Sequence, residues 1–428
     1  MILMKNKIIK LASLIVICGF VTACDSDFDN PVNGDSGNSG DADLSKFVTI
    51  GDSLTAGYAD GALYLAGQEN SYPAILAQQF AKVGGDSNFT QPLVSDNLGG
   101  LTVFGSQIVD NRLILDLTDP TSPSPVTIDG IPTTEVLSNP GGTFYSNLGV
   151  PGAKSFHLGS TDYSDPAGLV AGTANPYFVR SASETGTSMI ADAASQLPSF
   201  FVMWIGNNDV LSYATTGGTG VDRLGSPEYP TFASYGPDDI TDPTDFATMY
   251  AGLVAALTTN PANLTAQGVL INIPDVSTIP YFTTVPYNPV PFDPADPVDV
   301  GTVGALNAAY GEYNAGLAYA QSINQLSAEE VAKRTISFAT GQNAVVIMDE
   351  DLTDITFIDP KLINMRQATA ADLLVLTSSQ KIGTLANPAD PTSAWGVGLP
   401  LEEGYVLVAS EIVAMYTVSH DVSAKINA

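Results

Sequence analysis

A serine placed where a strand ends is the first residue of this chain that could do covalent chemistry. The short β-type run at 46–50 (KFVTI) stops at Gly51-Asp52-Ser53-Leu54, which puts Ser53 on a turn at a strand's C-terminal end, where a hydroxyl can face a cleft. The motif is not a Gly-x-Ser-x-Gly elbow, because position 55 is Thr. Two later loops hold groups that would suit a hydroxyl nucleophile. Asn147-Leu148-Gly149-Val150-Pro151-Gly152-Ala153 offers Gly152, whose missing side chain lets a backbone N–H approach a reacting atom closely. Gly206-Asn207-Asn208-Asp209 closes the apolar run at 200–205 and offers the Asn208 amide from a fixed strand end. A nucleophile with two such donors is what acyl transfer requires, because negative charge develops on the attacked carbonyl oxygen. Each residue also has a plain structural use: Ser53 can close a turn, Pro151-Gly152 can form a loop, and Asn208 can cap the helix that follows.

These loops need elements to position them. The pattern predicts a helix at 73–80 with Pro73 in its first turn and Gly84-Gly85 after it, then a helix at 189–197 leading into a strand at 200–205 buried on both faces. Helical stretches at 246–257 and 303–332 alternate with apolar runs at 268–273 and 344–348, and a last helix covers 405–428. Strands alternating with helices argue for an α/β protein with a parallel sheet whose ligand site lies beyond the strands' C-terminal ends. Long Pro/Gly/Thr-rich stretches at 101–145, 158–188, 213–243 and 284–302 read as loop insertions, and no internal repeat is present.

The three segments, in this order, resemble the first three conserved blocks of the SGNH (GDSL) hydrolase family, and further segments at 71–80, 204–210 and 271–282 resemble a Bacteroidetes lipoprotein branch of it. The resemblance covers most of residues 46–428. It implies a three-layer flavodoxin-like fold with a parallel central sheet, Ser53 as nucleophile, and the N–H of Ser53, Gly152 and Asn208 as the oxyanion hole. Asp52 and His157 are further candidate substrate contacts.

The family takes its general base from a late Asp-x-x-His, which this chain departs from: Lys154 precedes His157 by three residues and Thr417 precedes His420 by three. Three readings follow. Gly396 and Leu399 could stand where the Asp and His would be, His157 could supply the base from the second block, or the fold is incomplete at the C-terminus. We read the domain as truncated before its last block.

The N-terminus points to export. Residues 1–23 carry Lys5, Lys7 and Lys10 ahead of an apolar stretch, which reads as a signal peptide, and Val21-Thr22-Ala23-Cys24 resembles a bacterial lipobox. Cys24 is then the lipidation site, residues 24–45 form a flexible acidic tether, and 46–428 form the hydrolase domain. Cys18, the only other cysteine, leaves with the signal, so no disulfide is expected. The resemblance places the protein in the cell envelope as an outer-membrane lipoprotein, with acids after Cys24 like those of surface-exposed ones.

Charge excludes one class of partner. With 15 Lys+Arg against 45 Asp+Glu and a formal net charge of −30, the chain is not a nucleic-acid binder, and losing the signal makes it more negative still. Hydrophobic residues make up 44% and charged residues 14%, so a sizeable core forms. The expected partners are an ester substrate and a membrane reached through the lipid on Cys24. No cofactor and no metal are expected: there is no His/Cys metal spacing, Walker loop or Gly-x-Gly-x-x-Gly after a strand, and the acids Asp349, Glu350, Asp351 and Asp354, which could form a cation site, read first as a solvated turn. The function expected is a lipid-anchored serine esterase or lipase working through an acyl-enzyme on Ser53. The alternative is a pseudoenzyme or a surface ligand- or glycan-binding lipoprotein on the same scaffold.

Overall fold

The computed structural model describes residues 37–118, 124–139, 141–232, 234–262 and 264–427. The expected signal at 1–23, Cys24 and the tether up to residue 36 lie outside them. The end of the expected tether is already packed: Leu44 is buried, and its carbonyl accepts from the N–H of Asp86.

A mixed α/β architecture is built on four parallel strands. They are β1 (Phe47–Gly51), β2 (Asn147–Gly149), β3 (Phe200–Trp204) and β4 (Gln267–Leu270), arranged in the order β2-β1-β3-β4. Ile50 stands opposite Leu148 on one side and Met203 on the other. Helices alternate with these strands. α1 (Ser53–Ala56) and α2 (Tyr72–Lys82) follow β1, α3 (Met189–Ser195) precedes β3, and α4 (Asn208–Thr215) and α5 (Pro243–Thr258) follow it.

Side chains alternate across the sheet as strand geometry requires. Phe47 and Val202 point to one face and pack with Ala77, Tyr72 and Phe80 of α2. Val48, Ile50, Phe201 and Met203 point to the other, into a larger core with Met189 and Ala193 of α3 and Phe246, Leu253 and Leu257 of α5. Ser71 caps α2, its hydroxyl accepting from the N–H of Ala74, with Pro73 in the first turn where no intrahelical N–H is needed. β4 is an edge among the described strands, and its Val269 is half-exposed.

One expectation fails here. The apolar run at 344–348 reads as another strand of the parallel sheet, but it joins a separate structure. Residues from Val285 to Val408 gather a core of their own, into which the long helix α6 (Pro297–Ser322) turns Leu306, Tyr310, Tyr313 and Leu317. There β5 (Val346–Met348) pairs antiparallel with β6 (Met365–Gln367), Ile347 opposite Arg366. Periodicity records that a strand is buried, not which neighbour it pairs with.

This second core is tied by buried cations that the sequence pattern does not flag. Arg334 has no exposed surface and donates to Tyr313 Oη at 3.1 Å, to Thr353 O at 2.8 Å and to Ile363 O at 2.8 Å. Arg366 holds Asp372 with two bonds of 2.7 and 2.8 Å and pairs with Asp349. Burial alone would raise the Asp372 carboxyl, but the Arg366 bonds hold it below its ordinary range. The last helix, α7 (Ala409–Asn427), returns to the first core through Met415, Val418 and Val422 and packs on α5 and α4. Among the described residues no helix is long and apolar enough to cross a membrane.

Candidate active site

Ser53 is the first residue of α1, immediately beyond the end of β1. The turn into that helix is made by Asp52, whose side chain accepts from the N–H of Leu54 at 3.0 Å. Asp52 therefore does the turn-closing that sequence alone could have assigned to Ser53. Ser53 is half-buried and its Oγ makes no hydrogen bond among the described residues. Its carbonyl accepts from Gly57 and Tyr58, which ends the helix after one turn.

Two glycines let α1 sit directly on the strand ends. A Cβ on Gly51 would lie 2.2 Å from both Thr55 Oγ1 and Trp204 O, and one on Gly149 would lie 2.2 Å from the backbone nitrogen of Ala56. Real carbon atoms do not approach so closely, so both positions require glycine for packing. Asn147 locks the same contact, donating from Nδ2 to Thr55 O at 3.0 Å and accepting from the Gly149 N–H at 3.0 Å.

The second segment joins the first at Val150, whose N–H donates to Gly51 O at 3.0 Å. The chain then turns tightly, the Ala153 N–H donating to Val150 O at 3.1 Å with Gly152 at φ +81°. Space around Gly152 is open, so glycine is favoured there by its left-handed backbone rather than by crowding, and its N–H makes no hydrogen bond among the described residues. Asn175 braces the loop from behind, Nδ2 donating to Pro151 O at 2.9 Å and to Tyr163 Oη at 2.9 Å.

The third segment closes the arrangement. After β3, Gly206 takes φ +120° and Asn207 enters α4. Asn207 Nδ2 donates to Asp52 Oδ2 at 2.8 Å, and Asn208 Nδ2 donates to Ala153 O at 2.9 Å. The Asn208 side chain thus reaches across to the Gly152 loop and does not cap α4, its structural alternative. Its amide carries two hydrogens, and Ala153 takes one. The three expected segments are hydrogen-bonded to one another in pairs.

Asp52, expected as a substrate contact, has no exposed surface, and both its oxygens are engaged. It positions the turn behind Ser53. Burial pushes its carboxyl up to about 6, with a smaller push from Asp209, against the bonds from Asn207 and Leu54.

Sequence reading missed a buried polar group beside these loops. Asp209 is fully buried and accepts from Ser155 N at 2.9 Å and Ser155 Oγ at 2.7 Å. Burial raises its carboxyl, opposed by the Ser155 bonds and the nearby Lys154 charge. Lys154 is itself buried and donates to Asp239 O at 2.6 Å. The signal was present in the run Gly206-Asn207-Asn208-Asp209, three polar side chains directly after a buried strand, where each must find a partner.

Neither histidine bonds Ser53. His157 lies flat against Tyr163, ring centroids 4.4 Å apart, and its Nδ1 accepts from the Lys154 N–H at 3.0 Å. Burial first, then the Lys154 charge, pushes its imidazole down to about 3. His420 stands exposed on α7 beside Asp421.

No family model, no curated protein and no solved structure significantly matches this chain.

Proposed function

We propose that the chain is a serine ester hydrolase of the SGNH type, with a flavodoxin-like core and Ser53 as its nucleophile. One observation carries this reading: hydrogen bonds from Asn207 to Asp52 and from Asn208 to Ala153 join the three loops beyond the C-terminal ends of β1, β2 and β3. In the order β2-β1-β3-β4 the chain runs to opposite sides of β1, so the switch point lies between β1 and β3. Open parallel sheets bind ligands in the crevice at such a point. Ser53 follows one of these strands and Asn208 the other.

Ser53 Oγ attacks the ester carbonyl, and the C=O pair moves onto oxygen. The resulting oxyanion takes hydrogen bonds from the Ser53 N–H, the Gly152 N–H and the second Asn208 amide hydrogen. Collapse expels the alcohol and leaves an acyl-enzyme, which water cleaves. The hydroxyl proton of Ser53 must pass to a base and from it to the oxygen of the departing alcohol, the part that a late Asp-x-x-His plays in SGNH enzymes. The same reading makes the protein exported and anchored through a lipid on Cys24, on the strength of the lysine-rich apolar start and the Val21-Thr22-Ala23-Cys24 run.

The test is hydrolysis of short p-nitrophenyl esters by the purified protein beside a Ser53→Ala control. Turnover above the control supports the reading, and equal rates contradict it.

A second reading, a ligand-binding pseudoenzyme on this scaffold, is favoured by the absence of any imidazole bonded to Ser53 among the described residues. It requires that ligand be retained while a fluorophosphonate fails to label Ser53.

A further inference from the structure

Far along the chain from Ser53, three carboxylates from three separate segments converge where the two cores meet. Glu350 follows β5, Glu403 opens the turn at Glu403–Tyr405, and Glu411 lies in the first turn of α7. One oxygen from each lies within 4.8 Å of the others. Among the described residues none of the three forms an ion pair. The neighbouring acids of the 349–354 run are committed elsewhere: Asp349 to Arg366 and Lys333, Asp351 to Ser410 Oγ, and Asp354 to Thr356. Glu350 alone of that run turns to the cluster.

An acidic cluster on a surface is ordinarily just solvated, but Glu411 is not on the surface. It is 6% exposed, its Oε2 accepts from the Val408 N–H at 2.7 Å, and its Oε1 is buried without a hydrogen-bond partner. A buried carboxylate oxygen with no donor is costly unless a cation or proton satisfies it. The backbone is shaped around it: a Cβ on Gly218 would fall 1.6 Å from Glu411 Oε1, and one on Gly217 would fall 2.5 Å from Glu403 O. Just beyond the end of α4, Gly218 thus admits the Glu411 carboxylate and Gly217 admits the backbone at Glu403 and Gly404.

We propose that Glu350, Glu403 and Glu411 form a divalent-cation site selective for calcium. All donors are carboxylate oxygens, which suits a hard cation. Calcium takes six to eight oxygens at about 2.3–2.6 Å in flexible geometry, which an irregular set of carboxylates can meet, whereas magnesium at about 2.0–2.1 Å demands near-octahedral order. The ion would tie Glu350 and Glu403, which flank the second core, to the helix that returns to the first. α4 runs from Asn208 to Thr215, so this site sits beyond one end of the helix that begins at the candidate oxyanion donor. It does not depend on the esterase reading.

The test is calorimetric titration of the chelator-treated protein with CaCl2 and with MgCl2, paired with thermal melts. We expect one calcium per chain with an affinity of order 10⁻⁴ M, within the weaker range of calcium modules. We also expect calcium to raise Tm and magnesium to bind at least tenfold more weakly. Glu350→Gln, on an exposed residue that leaves the fold intact, and Glu411→Gln, which keeps an acceptor for Val408, should each weaken binding tenfold or more. Glu329→Gln elsewhere should not. Absence of binding heat and of any Tm change with calcium, or undiminished binding in Glu350→Gln, overturns the proposal and leaves Glu411 as a buried protonated acid.

Discussion

Asn207 Nδ2 lies 2.8 Å from Asp52 Oδ2, joining the loop after β3 to the loop after β1 across the point where the sheet's strand order reverses. The bond lies behind Ser53, in the interior, and the charge it stabilises is buried. That makes Asp52 a pH-dependent element of the turn.

Because burial raises Asp52 from about 3.8 to about 6, the folded state holds its proton more tightly than the unfolded chain does. Stability from this group is complete below about pH 3.8 and falls as pH rises to about 6. The cost of ionising Asp52 in the fold is on the order of 3 kcal/mol. Asp52→Asn removes that cost, and the Asn207 amide can rotate to accept from the new N–H₂ because its Oδ1 has no present partner. Denaturant melts of the two proteins should show the variant gaining on the parent between about pH 4 and pH 6 and holding that gain at pH 8. A difference independent of pH contradicts this.

Asn208→Ala should act in two separable ways. Loss of an oxyanion donor lowers kcat by about 10²–10³-fold. Loss of the bond to Ala153 O, which is at 2.9 Å, leaves a carbonyl without its partner and lowers stability by about 1–3 kcal/mol. Kinetics at saturating ester and a denaturant melt read the two effects independently.

Gly149→Ala places a carbon 2.2 Å from Ala56 N and 2.5 Å from Thr55 C, both backbone atoms that a rotamer change cannot move aside. We expect a loss of about 3 kcal/mol or more. Gly252→Ala is the opposite case, a glycine inside α5 with nothing within 4 Å, and should gain about 0.8–1 kcal/mol from helix propensity. Thermal melts of the pair distinguish packing from a general cost of replacing glycine.

His157 should stay neutral throughout the physiological range. With its imidazole pushed down to about 3 it binds a proton too weakly to serve as the general base for Ser53. Its ring resonances should not move between pH 5 and pH 8 in an NMR titration, and an inflection near 6.5 would show the ring free to act.

What the sequence made legible follows from local patterning. The strand expected at 46–50 and found at 47–51, the helix expected at 73–80 with its early Pro73 and found at 72–82, and the polar runs that end β2 and β3 can all be read from residue types and spacing. That the loops holding Ser53, Gly152 and Asn208 join follows because parallel strands deliver their C-terminal loops to one edge. The antiparallel pairing of Val346–Met348 was not legible, since partner choice is non-local. Nor was the role of Asp52, a polar residue whose burial depends on a partner 155 positions away. Glu411 looks like any surface acid on a helix until Gly218 and Val408 enclose it.

On the proposed reading, Ser53 is an acylatable nucleophile held by three joined loops. Peptide mapping by mass spectrometry after incubation with p-nitrophenyl acetate tests it most directly. We expect time-dependent acetylation of Ser53 that is weakened in Asn208→Ala and missing in Ser53→Ala. Acetyl groups on surface lysines alone, with the Ser53 peptide unmodified, would contradict it.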